Sequence, residues 1–437
     1  MLPELIDFFS FSSPNVRTVA MGTVLLGASS ALVGCFAFLR KRALSGDVIS
    51  HSVLPGICLA FIISGEKNPI LILAGAFITG WLSLMLVDWV KRKTRLGEDA
   101  GLGISLSVFF GLGIVMLSSI QHSGNAEQAG LDRFLFGKAA AMLDEDLYVF
   151  GGLAILLIFA VLAFLKEFTL IAFDSSFAQS AGLPIRFLEL ILTSLTVLAV
   201  VSGIQAVGVV LMAALLITPA VAARFWTENL KIMLLISALI GAVSGLAGAF
   251  ISYSPTLIFN KVVPMPTGPW IVVFATLLAI FSAIFAPKRG VLSRLWMKAG
   301  NNLRIAEENI LKKMYQMGER KGNFSGIYSS QLILKERKEL KGGLNFGLIR
   351  LLRKGFVKKY QGGWILTEQG MEKGKRITRL HRLWEMYLHR YLRIDPTHVH
   401  EDAETIEHFI SPEIEAMLET ELNHPEKDPH NVEIPRS

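Results

Sequence analysis

Two sets of residues in this sequence have the types and spacing for metal chemistry. The first is Asp47-Val-Ile-Ser-His51-Ser-Val-Leu-Pro55-Gly56, which opens an apolar run reaching Ile63. Asp47 and His51 are four apart, so on a helix they share one face. A carboxylate beside a neutral imidazole suits a divalent first-row metal. Ionisable groups at membrane depth are costly and usually face a cavity or pathway rather than lipid. The structural alternative is that Asp47 caps its helix and His51 hydrogen-bonds a neighbouring one. The second set lies near the C-terminus. His381, Glu385 and His389 step by four, and His400, Glu404, Glu407 and His408 form another stripe. Mixed nitrogen and oxygen donors suit manganese, iron or zinc. A lone helical histidine is more often structural, however, and a charged stripe more often a solvated face, so the residues alone leave both readings open.

The elements that carry these residues differ in kind. The chain is 52% hydrophobic and 18% charged, an average that hides two unlike parts. Up to Ala286, apolar runs of about 20 residues recur, each long enough to cross a bilayer. Candidate spans are 16–39, 48–64, 69–90, 100–120, 147–165, 187–203, 206–225, 231–252 and 269–286. From Pro287 onward charged residues of both signs are mixed with histidines. The expected organisation is a membrane domain over 1–286, a linker over 287–302, a winged helix-turn-helix over 303–366 and a helical metal-binding and dimerisation domain over 367–437. Cys35 and Cys58 both lie in apolar runs, so neither a disulfide framework nor a thiolate zinc site is indicated. The net charge of +7 comes largely from Lys and Arg flanking the spans, which is weak evidence for nucleic acid. Those clusters, at 40–42, 91–95, 166 with 186, 224 with 231, and 288–289, fall on one side of nine alternating spans. By the positive-inside rule the N-terminus is expected outside and the C-terminal part in the cytoplasm.

Two further stretches of the membrane part stand out. The small residues of Gly241-Ala-Val-Ser-Gly245-Leu-Ala-Gly248 allow close helix contact, and plain bundle packing explains them. Phe173 to Pro184 reads as a short helix between spans, capped by Asp174 or Ser175 and stopped by Gly182-Leu183-Pro184. A helix so placed on the inner face either docks a partner or merely connects. No Gly-x-x-x-x-Gly-Lys-Ser/Thr phosphate loop occurs, Gly370-Met-Glu-Lys-Gly374-Lys375 being one residue short. Energy for transport must then come from a partner or an ion gradient.

Asp47-x-x-Ser50-His51-x-x-Leu54-Pro55-Gly56, the Phe173–Pro184 segment and Gly208-Val-Val-Leu-Met-Ala-Ala-Leu-Leu-Ile-Thr-Pro219-Ala220 together resemble the permease subunits of manganese, zinc and iron ABC importers, the ABC-3 family. The resemblance implies a polytopic helical protein of the bacterial plasma membrane. It also implies a homodimer of permeases, two cytoplasmic ATPase subunits and an extracellular or periplasmic metal-binding protein. In that frame Asp47 and His51 are pathway ligands. Phe173, Asp174, Phe177, Ala178, Gly182, Leu183 and Pro184 belong to the helix that couples to the ATPase, and Pro219 to a helix at the dimer interface.

The tail has its own pattern. Helices are expected at 303–318, 329–337 and 344–354. Phe356 to Thr367 follows as two alternating strands around a Gly-Gly-containing turn. That is the order of a winged helix-turn-helix. Helices from Glu368 to Leu392 and from Thr397 to Ile410 come next, and Ser411-Pro412-Glu413 opens a last one. Leu366-Thr-Glu-Gln-Gly370, His381-Arg-Leu-Trp-Glu385, Val399 to His408 and the closing Pro425–Pro435 resemble the metal-dependent repressors of the diphtheria-toxin-repressor and manganese-regulator family. That resemblance implies His381, Glu404, Glu407 and His408 as metal ligands, with Glu385 and His400 at an ancillary site. Glu404 stands where the manganese-type members carry Glu. The chain departs from the pattern at Asn309 and Lys312, which occupy two positions expected to be acidic, with Glu308 as a substitute only if the register shifts. It departs again at the glycine-rich Lys341–Arg350 stretch, a poor major-groove reader. Lys341, Arg350, Arg353, Lys354, Lys358 and Lys359 remain candidate phosphate contacts.

The sequence is thus read as the permease subunit of an ABC importer for a divalent transition metal, fused to a metal-sensing domain that throttles transport in cis. Manganese is the first choice of cargo, with iron or zinc behind it. The alternatives are a membrane-tethered or proteolytically released repressor that binds DNA, and a secondary transporter that needs no ATPase.

Overall fold

A stretch that is apolar on every side cannot be a surface helix of a soluble domain, and in a bilayer it must close all its backbone hydrogen bonds within itself. The computed structural model describes residues 2–11, 13–65, 68–122, 137, 139, 142–254, 265–336, 343–393, 406–408 and 410–436. They fall into two units, Met1–Arg294 and Leu295–Ser437. In the first unit, nine helices among the described residues are long and apolar enough to cross a membrane. A short helix α1 (Leu2–Phe9) precedes α2 (Pro14–Leu39). The second span is split into α3 (Ser45–Ser52) and α4 (Leu54–Ser64), followed by α5 (Pro69–Lys93), α6 (Glu98–Gln121) and α7 (Asp144–Ala163). Then α8 (Leu165–Phe173) and α9 (Ser175–Ser180) lead to α10 (Ile185–Val207), α11 (Val209–Trp226), α12 (Leu230–Tyr253) and α13 (Thr267–Phe285).

Helix α2 is the centre of this unit, packing on α12, α11, α7 and α10. Lipid is as apolar as leucine, so helices associate in it through close packing rather than hydrophobic force. The glycines make that possible. A methyl group built on Gly27 would lie 2.4 Å from the carbonyl oxygen of Gly241, and one on Gly241 would lie 2.2 Å from that of Gly27. Gly245 is equally close to the backbone of Thr23. At one end of the bundle two arginines that follow α2 are paired with acids. Arg42 pairs with Asp88 at 3.1 Å and with Glu98 at 3.6 Å, and Arg40 pairs with Glu189. The ends of α2 and α5 and the starts of α6 and α10 therefore share that end.

The second unit begins within α14 (Val291–Lys321) and continues through α15 (Ser330–Glu336) and α16 (Leu344–Arg353) to the hairpin β1 (Val357–Tyr360) and β2 (Gly363–Leu366). Val357 faces Leu366 and Tyr360 faces Gly363, closed by Gln361 and Gly362 at φ 46° and 78°. Two positive φ values in a two-residue turn match the twist of a hairpin. The winged-helix core gathers Ile310, Leu311, Met314, Tyr328, Leu348, Leu351 and Val357. Next come α17 (Glu368–Leu392) and α18 (Pro412–Glu421). The hydroxyl of Ser411 accepts a hydrogen bond from the amide of Ile414 at the start of α18. Residues 291–302, expected to link the domains, are the first turns of α14. Their only breaker is Gly300, which a helix tolerates at a cost of about 1 kcal/mol. The helix expected from Thr397 lies largely outside the described residues.

The glycine contacts predict opposite effects of one chemical change. Gly241→Ala should lower the thermal stability of the detergent-solubilised protein by about 1–3 kcal/mol, because the added methyl meets backbone. Gly152→Ala, where a methyl meets nothing within 4 Å, should leave stability unchanged or raise it by up to about 1 kcal/mol through helix propensity.

Candidate functional site

The pair Asp47 and His51 sits on α3, the carboxylate in the first turn and the imidazole in the last. The side chains do share one face, with His51 Nε2 3.6 Å from Asp47 Oδ1. Proline carries no N–H, so Pro55 cannot donate to the carbonyl of His51, and the span is split at Val53 accordingly. The His51 ring lies edge-on to Phe110 of α6, with centroids 5.1 Å apart. Its Nδ1 is buried and has no hydrogen-bond partner among the described residues. The Asp47 side chain is 47% exposed, so the described residues leave about half of it open. Asp47 lies one turn into the span from the end where Arg42 meets Asp88 and Glu98. Among the described residues no group of three or more His, Cys, Asp or Glu side chains is arranged to hold a metal ion, and in the membrane unit Asp47 and His51 stand as a pair.

The Phe173–Pro184 segment folds as the sequence suggests. The Asp174 carboxylate accepts from the amide of Phe177 at 2.9 Å and caps α9. At the other end Gly182 takes φ +80°. The Leu183 amide returns to the carbonyl of Ala178 at 3.1 Å, and the Gly182 amide to that of Gln179 at 3.0 Å. These two bonds form a Schellman motif, which needs the left-handed conformation that Gly adopts without penalty. Ala178 is fully buried, while Phe173 and Phe177 are 61% and 57% exposed. Pro184 is the N-cap of α10, whose Glu189 binds Arg40. The two exposed rings thus belong to the same end of the bundle as the ionic pairs. Pro219 is buried within its own chain.

In the second unit His381, Glu385, Glu407 and His408 do come together, and they are all buried. His389 is exposed further along α17, and His400 and Glu404 lie outside the described residues. The group at the centre is Lys312 of α14. Its ammonium is 2.9 Å from each carboxylate oxygen of Glu407 and 3.2 Å from His381 Nδ1. His381 Nδ1 lies 2.5 Å from Glu407 Oε2, and its Nε2 lies 3.1 Å from Glu385 Oε1. Burial pushes the His381 pKa down, but the bonds to Glu385 and Glu407 outweigh it, and the net direction is up. Burial pushes the Glu407 carboxyl up, but His381 and Lys312 together hold it below the usual range. Glu308 reaches His408 Nδ1 at 2.8 Å, and although burial opposes it, this bond and the charge of Lys373 lower its carboxyl. These described residues do not fit a divalent metal, because an ammonium stands where the ion would bridge Glu407 and His381.

Two features of this unit carried no local signal. Glu307, buried on α14, draws in both Arg350 and Lys354 at 2.5 Å. Arg382 forks onto Glu319 at 2.7 and 2.9 Å and bonds the carbonyl of Glu433 at 2.6 Å, tying the closing Pro425–Pro435 stretch to α17. Partners 43 to 63 residues apart are invisible to any spacing rule. Of the remaining candidate phosphate contacts, Arg353, Lys358 and Lys359 are exposed, and Lys341 lies outside the described residues.

Nine helices among the described residues long and apolar enough to cross a membrane, one of them broken and carrying an ionisable pair, define a multi-pass membrane protein. Comparison with known proteins makes the assignment specific: residues 12–286 match the ABC 3 transport family, and the chain belongs to that family. Residues 367–436 match the iron-dependent repressor metal-binding and dimerisation domain. The chain is 41% identical over 377 residues to the manganese transport system membrane protein MntC of Bacillus subtilis, covering 86% of this chain and 84% of that protein. It is 41% identical over 288 residues to the zinc transport system membrane protein TroC of Treponema pallidum, covering 66% of this chain and 94% of the relative. Among solved structures, PsaBC from Streptococcus pneumoniae in complex with Fab aligns with a TM-score of 0.58 at 31% identity, over 66% of this chain and 98% of that one. The MntC alignment is longer than the membrane domain, so the similarity continues into the tail.

The buried cluster predicts a large effect from a small change. Glu407→Gln should destabilise the second unit by about 3–5 kcal/mol, since removing one partner of a buried pair strands the other charge. Limited proteolysis of the full-length protein should show this as faster cleavage between residues 300 and 437, with the membrane unit unaffected.

Proposed function

We propose that this chain is the permease subunit of an importer that carries a divalent transition metal into the cytoplasm, with manganese the first candidate cargo and zinc or iron behind it. The observation that carries the reading is the pair on α3. A half-exposed carboxylate and an imidazole with an unpartnered nitrogen sit side by side on a membrane helix broken by proline. Such groups are not left facing lipid. A second permease subunit laid against this face would enclose them in a pathway lined by one pair from each protomer. The pair lies one turn in from the ionic end of the bundle, so an ion would meet it on the cytoplasmic half of its route. There Asp47 and His51 would stand in for water and then let go. Few, mixed ligands allow release where a closed four-ligand cage would hold the ion.

In this reading the ion arrives from an extracellular or periplasmic binding protein. Separate ATPase subunits dock on α9 through Phe173 and Phe177, and the N-terminus lies outside. The basic clusters at the docking end support that orientation through the positive-inside rule. The tail acts on the permease in cis rather than on DNA. Arg350 and Lys354 are both engaged by Glu307. Phe346, Ile349 and Leu352 stand exposed on α16, where base readout would need polar side chains. An apolar face of that kind fits another protein surface.

Uptake of radiolabelled manganese by cells expressing the transporter tests the reading. Asp47→Ala and His51→Ala should each lower uptake by about tenfold or more, the equivalent of losing about 1.4 kcal/mol per ligand. Phe177→Asp should abolish uptake while the protein still inserts. Unchanged uptake in that variant would instead favour a transporter driven by an ion gradient. A chain ending at Ala299 should transport at an altered rate if the tail acts in cis. Unaltered transport together with changed transcription of metal-responsive promoters would point to DNA.

A further inference from the structure

We propose that Lys312 is the resident cation of the tail's ligand cluster, so that this domain holds its arrangement through an internal ammonium and does not respond to metal. The Lys312 and Glu407 side chains are 3% and 0% exposed, and the ammonium meets both oxygens of the same carboxylate at 2.9 Å. That is where an ion bridging Glu407 and His381 would have to lie. Two cations cannot share the position, since at about 4 Å their repulsion is of order several kcal/mol even at an effective dielectric of 20. Lys312 is fixed on α14 between Leu311 and Met314, both completely buried. Moving it aside would leave an ammonium among apolar side chains.

The neighbouring donors agree. A metal-bound histidine must present a ring lone pair. His381 instead has both nitrogens engaged, Nδ1 2.5 Å from Glu407 and 3.2 Å from the Lys312 ammonium and Nε2 3.1 Å from Glu385. Among the described residues the buried ammonium thus already supplies the positive charge that Glu407 faces. His408 keeps a more ligand-like pose. Its Nδ1 meets Glu308, while its Nε2 is buried 3.4 Å from Glu407 Oε1 without a hydrogen bond. With Glu407 held by Lys312, that nitrogen has no converging partners among the described residues. The metal-binding half of the domain's family description would then have lapsed in this chain, leaving the fold as a permanent fixture of the permease.

Hydrogen–deuterium exchange on the full-length protein in nanodiscs, stripped with EDTA and then given millimolar manganese or zinc, tests this. Peptides from 304–321 and 376–392 should exchange at the same rate with and without metal. Slowing by about tenfold or more in those peptides would overturn the proposal, because a ligand that binds the folded form stabilises it. Lys312→Glu should lose protection there when stripped and regain it with metal. A Lys312→Glu protein with wild-type protection in EDTA would also overturn it. If that variant folds under neither condition, the wild-type comparison alone decides. Protection around residues 45–56 in the same data reports the cargo pair separately, so failure of the transport reading is told apart from failure of this one.

Discussion

The membrane unit depends on how closely α2 can approach its neighbours. In a hydrocarbon solvent one apolar side chain is as good as another, so affinity between helices comes from contact distance. Gly27 against Gly241, Gly245 against Thr23 and Gly34 against Leu216 bring backbone to backbone. Once α2 is seated against α11 and α12, α3 is left between α5, α6 and α11. Its polar pair is thereby turned away from the close-packed centre. The place of Asp47 and His51 is thus set in part by glycines on other helices.

Sequence reasoning works best where a signal is local. Apolar runs give nine spans because length and composition suffice. The Asp174 cap and the Gly182 stop are legible because each uses residues within a few positions of the other. The i, i+4 pair on α3 and the long helix from Glu368 to Leu392 follow from helical spacing. What the residues withhold is anything made of distant partners. The grip of Glu307 on Arg350 and Lys354 is one case, and the fork of Arg382 on Glu319 another. So is the identity of the group that Glu407 would meet. Two histidine-bearing stripes suggest an ion, and only the packing of α14 shows an ammonium already there.

The two halves of the chain thus stand differently towards their families. The membrane unit carries the Asp47 and His51 pair and the capped helix α9, and its relatives carry names of manganese and zinc transport systems. The tail keeps the fold, with a wing, a long helix and a closing segment fastened by Arg382. Its cluster is built on a lysine. Similarity of fold and similarity of ligand set are separate properties, and here they part at one residue.

The short helix α9 has a mechanical consequence. Six residues are far too few to sustain a free helix, because nucleation costs more than so few bonds return. This one is closed at its front by Asp174, at its rear by Gly182 and beneath by the buried Ala178, with Pro184 leading straight into α10. It therefore behaves as a stiff tooth rather than a loose loop. A push on Phe177 cannot be absorbed by local unravelling and must emerge as movement of α10, the helix whose first turns grip α2 through Glu189.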